Sequence, residues 1–238
     1  MGREQFLADV FVDLADASSY GKAFETTGYL QRFATRCVQL LDVSAAAVLF
    51  APPGEGLQPV AASEPDPAFA DLLAIAALEG PAREGYRTTS PVVSVDLLTT
   101  ASRWPAFTEQ ALAAGYRFAS AVPLTHRRQA DGCLLLLRTG SAPVPEPDVR
   151  LGQALAHVVA VSLCYREALI TYRRVNDQLR TALQTRIAIE QAKGFLAHRM
   201  GVSVDEAFEV MRGHARRRGR RLREVAREVV EQALIPDT

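Results

Sequence analysis

Six arginines fall within eight positions near the C-terminus: Arg216, Arg217, Arg218, Arg220, Arg221 and Arg223. Guanidinium groups this close repel one another, and a polyanion relieves the repulsion. Each guanidinium also presents a planar fork of donors that matches a phosphate. Nucleic acid is therefore the partner this run suggests. The plainer reading is a solvated basic turn, partly offset by Glu224 and Glu228. Charge elsewhere in the chain separates the two halves. Residues 1–172 carry 13 Lys+Arg against 18 Asp+Glu, and residues 173–238 carry 14 against 9, so a chain with formal net charge zero has an acidic front and a basic rear. Such asymmetry predicts different partners for the two halves. Only Lys22 and Lys193 are lysines, so arginine richness by itself is a compositional bias and weak evidence.

Catalytic signatures are missing. There is no GxxxxGK phosphate loop, no GxGxxG after a strand, no HExxH and no GxSxG. Cys37, Cys133 and Cys164 lie on separate predicted elements, form no CxxC pair and suggest neither a disulfide framework nor a thiol enzyme. His126 sits in a predicted turn and His157 on a helix without a second ligand at metal spacing, so no metal site is expected. Asp205 and Glu206 read as helix-start residues favoured by the dipole, not as an acid/base couple. Phe195 and Phe208 fall on apolar faces, so recognition is expected to rest on arginine forks and backbone contacts rather than aromatic platforms. No basic-plus-apolar leader and no apolar run near about 18 residues is found, which predicts a cytoplasmic protein with no membrane association.

The elements that must position the arginines can be read from periodicity. Residues 3–20 form an amphipathic helix with Phe6, Leu7, Val10, Phe11 and Leu14 on one side, and residues 26–41 repeat the pattern. The apolar run from Ala45 to Phe50, the stop at Pro52, Pro53 and Gly54, and the stretch from Leu57 to Ala61 predict a hairpin. Residues 66–79 and 105–114 read as helices and residues 91–95 as a short strand. Residues 117–125 and 132–138 predict a second hairpin around the turn from His126 to Asp131. About five strands flanked by helices make an α+β domain with one antiparallel sheet.

From Asp148 to Arg199 there is no proline, and the only glycines are Gly152 and Gly194, so one long helix is predicted to start about Glu146, with Pro147 in its first turn. Leu155, Val158, Ser162, Tyr165, Leu169, Tyr172, Asn176, Leu179 and Leu183 alternate spacings of three and four, an a/d heptad seam. The first part of this stripe also suits packing on the chain's own sheet, so the expected dimer seam is Leu169, Tyr172, Asn176, Leu179 and Leu183. The polar Asn176 at an a position favours a parallel dimer in fixed register. Beyond it, Gly201 is placed as a left-handed helix end, and Ser203 with Glu206 forms a capping box. Val204, Ala207, Phe208, Met211 and Ala215 line a second helix that Gly219 ends. Leu222, Val225, Ala226, Val229, Val230 and Ala233 line a third. Ile187, Ala188, Gln191, Ala192, Phe195 and Leu196 supply the matching face on the end of the long helix. The core of this three-helix unit is small, and support from a dimeric helix would be useful to it.

These C-terminal residues carry a resemblance. The run from Leu179 to Gly194, LRTALQTRIAIEQAKG, resembles the opening of the ANTAR domain, an RNA-binding module of bacterial transcription antitermination regulators. Asp205 to Phe208, Ala215 to Leu222, and Val225 with Ala226 extend the similarity. It implies a three-helix module that dimerises through the preceding helix, binds paired RNA stem-loops and prevents a terminator from forming. Carried over by position, the implied RNA-facing residues are Arg186, Lys193, Gly194, Ala215, Arg216 and Arg220, with Arg217 and Arg221 added from the basic run. Lys193 is expected to face solvent or phosphate. Gly194 permits close backbone approach or is a helix-packing glycine. One departure is Gly219, where the family often has Asn. Both residues tolerate the left-handed helix end, but a base contact by the Asn side chain would be lost.

The N-terminal part, roughly residues 20–168, resembles a GAF domain less specifically. Glu79-Gly80-Pro81, Ser90-Pro91-Val92, Arg103-Trp104-Pro105, Gly115-Tyr116-Arg117 and the segment from Leu151 to Leu155 resemble actinobacterial proteins that pair GAF with ANTAR. Many GAF domains hold a small ligand and others are dimer scaffolds; here no pocket residue is assigned, and Trp104 reads as a packed residue before a pocket wall. Ala82 stands where related chains often have Cys, which disfavours thiol sensing.

The resulting expectation is an α+β chain: a GAF-like sensor at 1–168, a coiled-coil linker helix at 169–183, and an ANTAR module at 173–234. Expected partners are RNA stem-loops, a second copy of the chain and an unidentified small-molecule signal, with no cofactor. The alternatives are a DNA-binding regulator of helix-turn-helix type and a non-catalytic interaction scaffold. Glu224, Glu228 and Glu231 on the third helix suit a phosphate-lined groove poorly.

Overall fold

Alternating side chains of the two central strands enter different cores, which explains why those strands read as continuous apolar runs. In β1 (Ala45–Phe50) the side chains of Ala46 and Val48 join one buried cluster, and those of Ala45, Ala47 and Leu49 join another. In β5 (Gln129–Arg138), Leu134 and Leu136 divide from Cys133, Leu135 and Leu137 in the same way. A strand covered on both faces has no solvent side to mark with polar residues. The computed structural model describes residues 3–15, 26–52, 54–126 and 129–232. It divides into two units, 1–168 and 169–238, with the boundary inside one long helix.

The first unit is built on a five-stranded antiparallel sheet in the order β2-β1-β5-β4-β3, with β2 at Gln58–Ala62, β3 at Val92–Asp96 and β4 at Phe118–His126. One face is covered by α1 (Arg3–Ala15), α2 (Thr26–Leu40) and the start of α6 (Glu146–Met200), through Val10, Leu14, Leu30, Phe33, Leu155 and Val159. The other is covered by α3 (Pro67–Leu78), α4 (Pro81–Thr88) and α5 (Pro105–Ala113), through Phe69, Leu72, Ala82 and Phe107. A helix of 3-10 type, Leu97–Thr99, leads into α5, and Arg117 ties it to β4 by a fork onto Asp96 at 2.8 and 2.9 Å. Those hydrogen bonds hold the Asp96 carboxyl below its ordinary pKa.

The predicted helices and strands are present with shifted ends. The α1 stripe packs as expected, while positions 16–20 of that expectation lie outside the described residues. The turn between β4 and β5 is shorter than expected, because both strands extend into it up to the undescribed positions 127 and 128. The α4 helix was not anticipated. Pro81 starts it at a position where the missing N–H costs nothing. Gly80 makes the corner at φ 116°, and a Cβ there would lie 2.8 Å from the Phe107 ring, so the corner needs glycine on two counts.

Gly132 is constrained by close approach instead. Its added Cβ would meet the Leu49 carbonyl oxygen at 2.4 Å and the Phe50 Cα at 3.0 Å, both backbone atoms that cannot swing aside. Gly132→Ala should therefore push β1 away from β5 and destabilise the unit by about 3 kcal/mol, at the upper end of overpacking effects. Thermal unfolding followed by Trp104 fluorescence measures this, because Trp104 is buried in the same unit. An unchanged melting curve would show that β1 relaxes at no cost.

The α6 helix runs unbroken through both units. By length and composition it is the one helix among the described residues that could cross a membrane, although its longest stretch without a charged residue, 151–165, is shorter than about 18 residues. Its apolar early part covers the sheet: Val149, Leu155, Ala156, Val159 and Ala160 are buried, and Ser162 Oγ donates to the Leu14 carbonyl at 3.1 Å. Leu155, Val158 and Ser162 of the heptad stripe are thus used within the chain. Further on, Tyr172, Leu179 and Leu183 are 66%, 67% and 60% exposed in the single chain.

In the second unit two helices stand separately, α7 (Val204–Arg217) and α8 (Leu222–Gln232). The first of the three helices expected here is not a separate element but the end of α6, whose Ala192 and Leu196 are buried with Ala207, Met211, Ala215, Val225, Ala226 and Val229. Ala233, expected on the α8 stripe, lies outside the described residues.

Candidate nucleic-acid interface

The helix ends that carry the arginines are closed by backbone hydrogen bonds. At the end of α6, Gly201 adopts φ 67° and the Val202 N–H donates to the Ala197 carbonyl at 3.2 Å. Ser203 then caps α7: its Oγ accepts from the Glu206 N–H at 3.2 Å, and the Glu206 carboxylate accepts from the Ser203 N–H at 2.9 Å. The bonds its carboxylate accepts from the Ser203 N–H and hydroxyl hold the Glu206 carboxyl below its ordinary pKa. At the other end of α7, Gly219 adopts φ 61°, its N–H donates to Arg216 O at 3.2 Å, and the Arg220 N–H donates to Ala215 O at 2.9 Å. The paired bonds form a Schellman ending. Glycine in place of the family's Asn therefore keeps the turn.

This turn sets the direction of the basic run. Arg216, Arg217, Arg218 and Arg221 are exposed, and the cations on the last turn of α7 meet the negative end of its dipole. Arg220 differs. Its guanidinium donates to both carboxylate oxygens of Glu228, one bond at 2.8 Å and the other shorter. The contact raises the Arg220 pKa and holds Glu228 below the usual carboxylate range. Arg220 was expected at the RNA face; the structure makes it first a clamp between the turn and α8.

A carboxylate with a depressed pKa supports the fold above its unfolded pKa and loses that contribution as pH falls through its folded value. Protection of the α8 amides, taken relative to the intrinsic exchange rate at each pH, should therefore fall on acidification, and Glu228→Gln should show low protection already at neutral pH with a flatter acid response. Identical exchange profiles for the two proteins would remove the clamp from the argument.

Two other expected contacts are placed differently from expectation. Lys193 does not face open solvent: its side chain is only 16% exposed, its Nζ lies 3.2 and 3.0 Å from the two Glu190 carboxylate oxygens, and it sits 5.6 Å from the Phe208 ring centroid. Ala215 is buried against Val225 and Ala226 in the module core, so it spaces the helices and presents no side chain to a ligand. Arg186 is exposed, as expected. Gly194 is exposed and an added Cβ would meet nothing within 4 Å, which removes the helix-packing reading and leaves an open patch of backbone. Phe195 and Phe208 pack half-buried against the core, as their faces predicted. Sequence reasoning missed the Glu228 clamp, since no local spacing rule links Arg220 to a carboxylate on the next helix. It also passed over His214, which is buried in α7.

Residues 177–230 match the ANTAR domain. This is an RNA-binding antitermination module, so the arginine-bearing turn belongs to a unit whose family binds RNA. The first unit has the GAF fold. It is similar to the GAF domain of a phosphoenolpyruvate-protein phosphotransferase from Coxiella burnetii, at 15% identity and TM-score 0.54, covering 72% of this chain and 98% of that one. An Acinetobacter phosphoenolpyruvate-protein phosphotransferase GAF domain gives 14% identity and TM-score 0.51, covering 71% and 97%. A phycocyanobilin-bound GAF domain from a cyanobacterial phytochrome gives 15% and 0.50, covering 68% and 94%. No curated protein matches the chain.

Cys37 and Cys133 lie fully buried, one in each core, and burial pushes both thiols up, away from thiolate chemistry. Among the described residues no group of three or more His, Cys, Asp or Glu could hold a metal ion. Trp104 is a core residue, edge-on to Phe107 with Arg103 over its face. A depression of about 270 Å³ between β2 and α3 has Glu64 and Asp66 as its charged lining, which disfavours an anion there.

Proposed function

We propose that this chain is a cytoplasmic transcription antitermination regulator. In it the GAF-fold unit is a sensor that controls a dimeric three-helix ANTAR module binding RNA stem-loops. The observation that carries the reading is the ANTAR match at 177–230 coinciding with an exposed arginine turn held by a complete Schellman ending. The first helix of the module is the end of α6. Because α6 begins in the GAF-fold unit, a signal there has a covalent route to the module. The exposed face of Tyr172, Asn176, Leu179 and Leu183 supports a parallel dimer that would present two RNA-binding modules together. The RNA face consists of Arg186, Gly194, Arg216, Arg217 and Arg221, with Lys193 and Arg220 held behind it by Glu190 and Glu228.

Binding to an RNA carrying two stem-loops, compared with duplex DNA of equal length at two salt concentrations, tests this. Preference for the RNA with a steep loss at high salt is expected. Equal affinity for both nucleic acids would favour the DNA reading. No binding to either would leave a protein-interaction scaffold.

A further inference from the structure

The side of α6 away from the leucine seam carries a groove of about 910 Å³. Successive helical residues are about 100° apart. Thr181 and Thr185, two positions after Leu179 and Leu183, therefore face away from the seam, and pairing of two copies leaves this part of the groove open, with Arg186, one heptad after Leu179, on its seam side. Its rim holds Arg174 and Arg186 from α6, with Arg223 reaching in from the first turn of α8. Its floor is the methyl and methylene surface of Ala182 and Ile189 beside the two threonine hydroxyls. Asp177 is the one carboxylate in the lining among the described residues, so three guanidiniums leave the groove positive.

Size and chemistry narrow the occupant. The volume falls within the range of about 300–1,000 Å³ typical of small-ligand sites, too small for a duplex and large enough for a few unpaired nucleotides. Bases splayed from an RNA loop need flat apolar or guanidinium surfaces to stack on and short polar groups to read their edges. Arginine planes, a methyl-lined floor and two hydroxyls provide both without an aromatic residue. Arg223 also belongs to the basic run, so the groove is continuous with the proposed phosphate-binding turn. We propose that this groove takes unpaired loop nucleotides of the bound RNA. Arg174 and Arg223 contact phosphate or stack on a base, and Thr181 and Thr185 read base edges. The inference rests on the RNA-binding reading and adds a base-recognition site to it.

The test uses the full chain and a pool of two-stem-loop RNAs with randomised loops, from which the natural protein selects binders. Each selected RNA is then compared with a copy whose loops are replaced by a polyethylene glycol linker. Arg174→Ala/Arg223→Ala should weaken binding of the selected RNA about 10- to 100-fold and the linker copy less than about 3-fold. Thr181→Leu/Thr185→Leu keeps every charge and favours helix, so it should change which loops are selected while the salt slope stays constant. Helix content by circular dichroism confirms that both variants fold. If the natural chain enriches nothing, the RNA-binding reading falls and the groove with it. If it enriches RNAs but the arginine variant binds them unchanged, or loses the selected RNA and the linker copy equally, the groove proposal alone is overturned. Selection of the same loops by the threonine variant would likewise remove base reading from the groove.

Discussion

Leu179→Asp/Leu183→Asp is expected to leave the chain monomeric and to weaken its binding to a two-stem-loop RNA about 100-fold. Both leucines are more than half exposed in the single chain, on a stripe that continues through Tyr172 and Asn176. Burying one such side chain stabilises by about 1.5–3 kcal/mol, and two copies bury four leucines at these positions. Aspartate there removes that gain and sets like charges face to face across the seam. Two modules held on one dimer engage two stem-loops with an avidity gain on the order of 10²–10⁴, and a monomer forfeits it. Affinity for a single stem-loop should change little, because neither leucine touches the arginine turn. Sedimentation gives the mass and titration gives the two affinities. A natural chain that sediments as a monomer at micromolar concentration, or a monomeric variant that binds the paired stem-loops as tightly as before, would sink the proposed dimer.

Arg216→Ala/Arg221→Ala should lower RNA affinity by about 100-fold or more near 0.1 M salt, since hydrogen bonds to charged groups contribute about 1.5–3 kcal/mol each and two are lost. The slope of log affinity against log salt should become shallower by about 1.4 to 1.8, two phosphate contacts at about 0.7–0.9 each. These two arginines are chosen because both are exposed and neither joins the module core. Arg220 is a poorer probe: Arg220→Ala also releases Glu228 from its fork, so lost binding could follow from a loosened turn. If the double variant binds RNA with an unchanged slope, the phosphate-contacting surface lies elsewhere, and the basic run is a solvated turn.

What the residues alone determined is concentrated where signals are local. The Ser203–Glu206 box, the glycine endings at 201 and 219 and the apolar stripes of α7 and α8 depend on hydrogen bonds and side chains within one or two turns, and the structure contains the box, the endings and the centres of both stripes, with Val204 and Val230 left exposed. The heptad spacing of α6 and the charge division between the halves are equally legible. Tertiary structure decided the rest. That β1 pairs with β5, so that the first and last strands lie together at the middle of the sheet, follows from burying both faces of two apolar runs far apart in the chain. The break between α3 and α4 follows from Phe107 filling the space beside Gly80. The fates of Lys193, Ala215 and Arg220, covered, buried and clamped, depend on Phe208, Val225 and Glu228, residues beyond the reach of any local spacing. A short-range pattern specifies which face of a helix is apolar, but packing of separate elements determines which charged side chains remain available to a ligand.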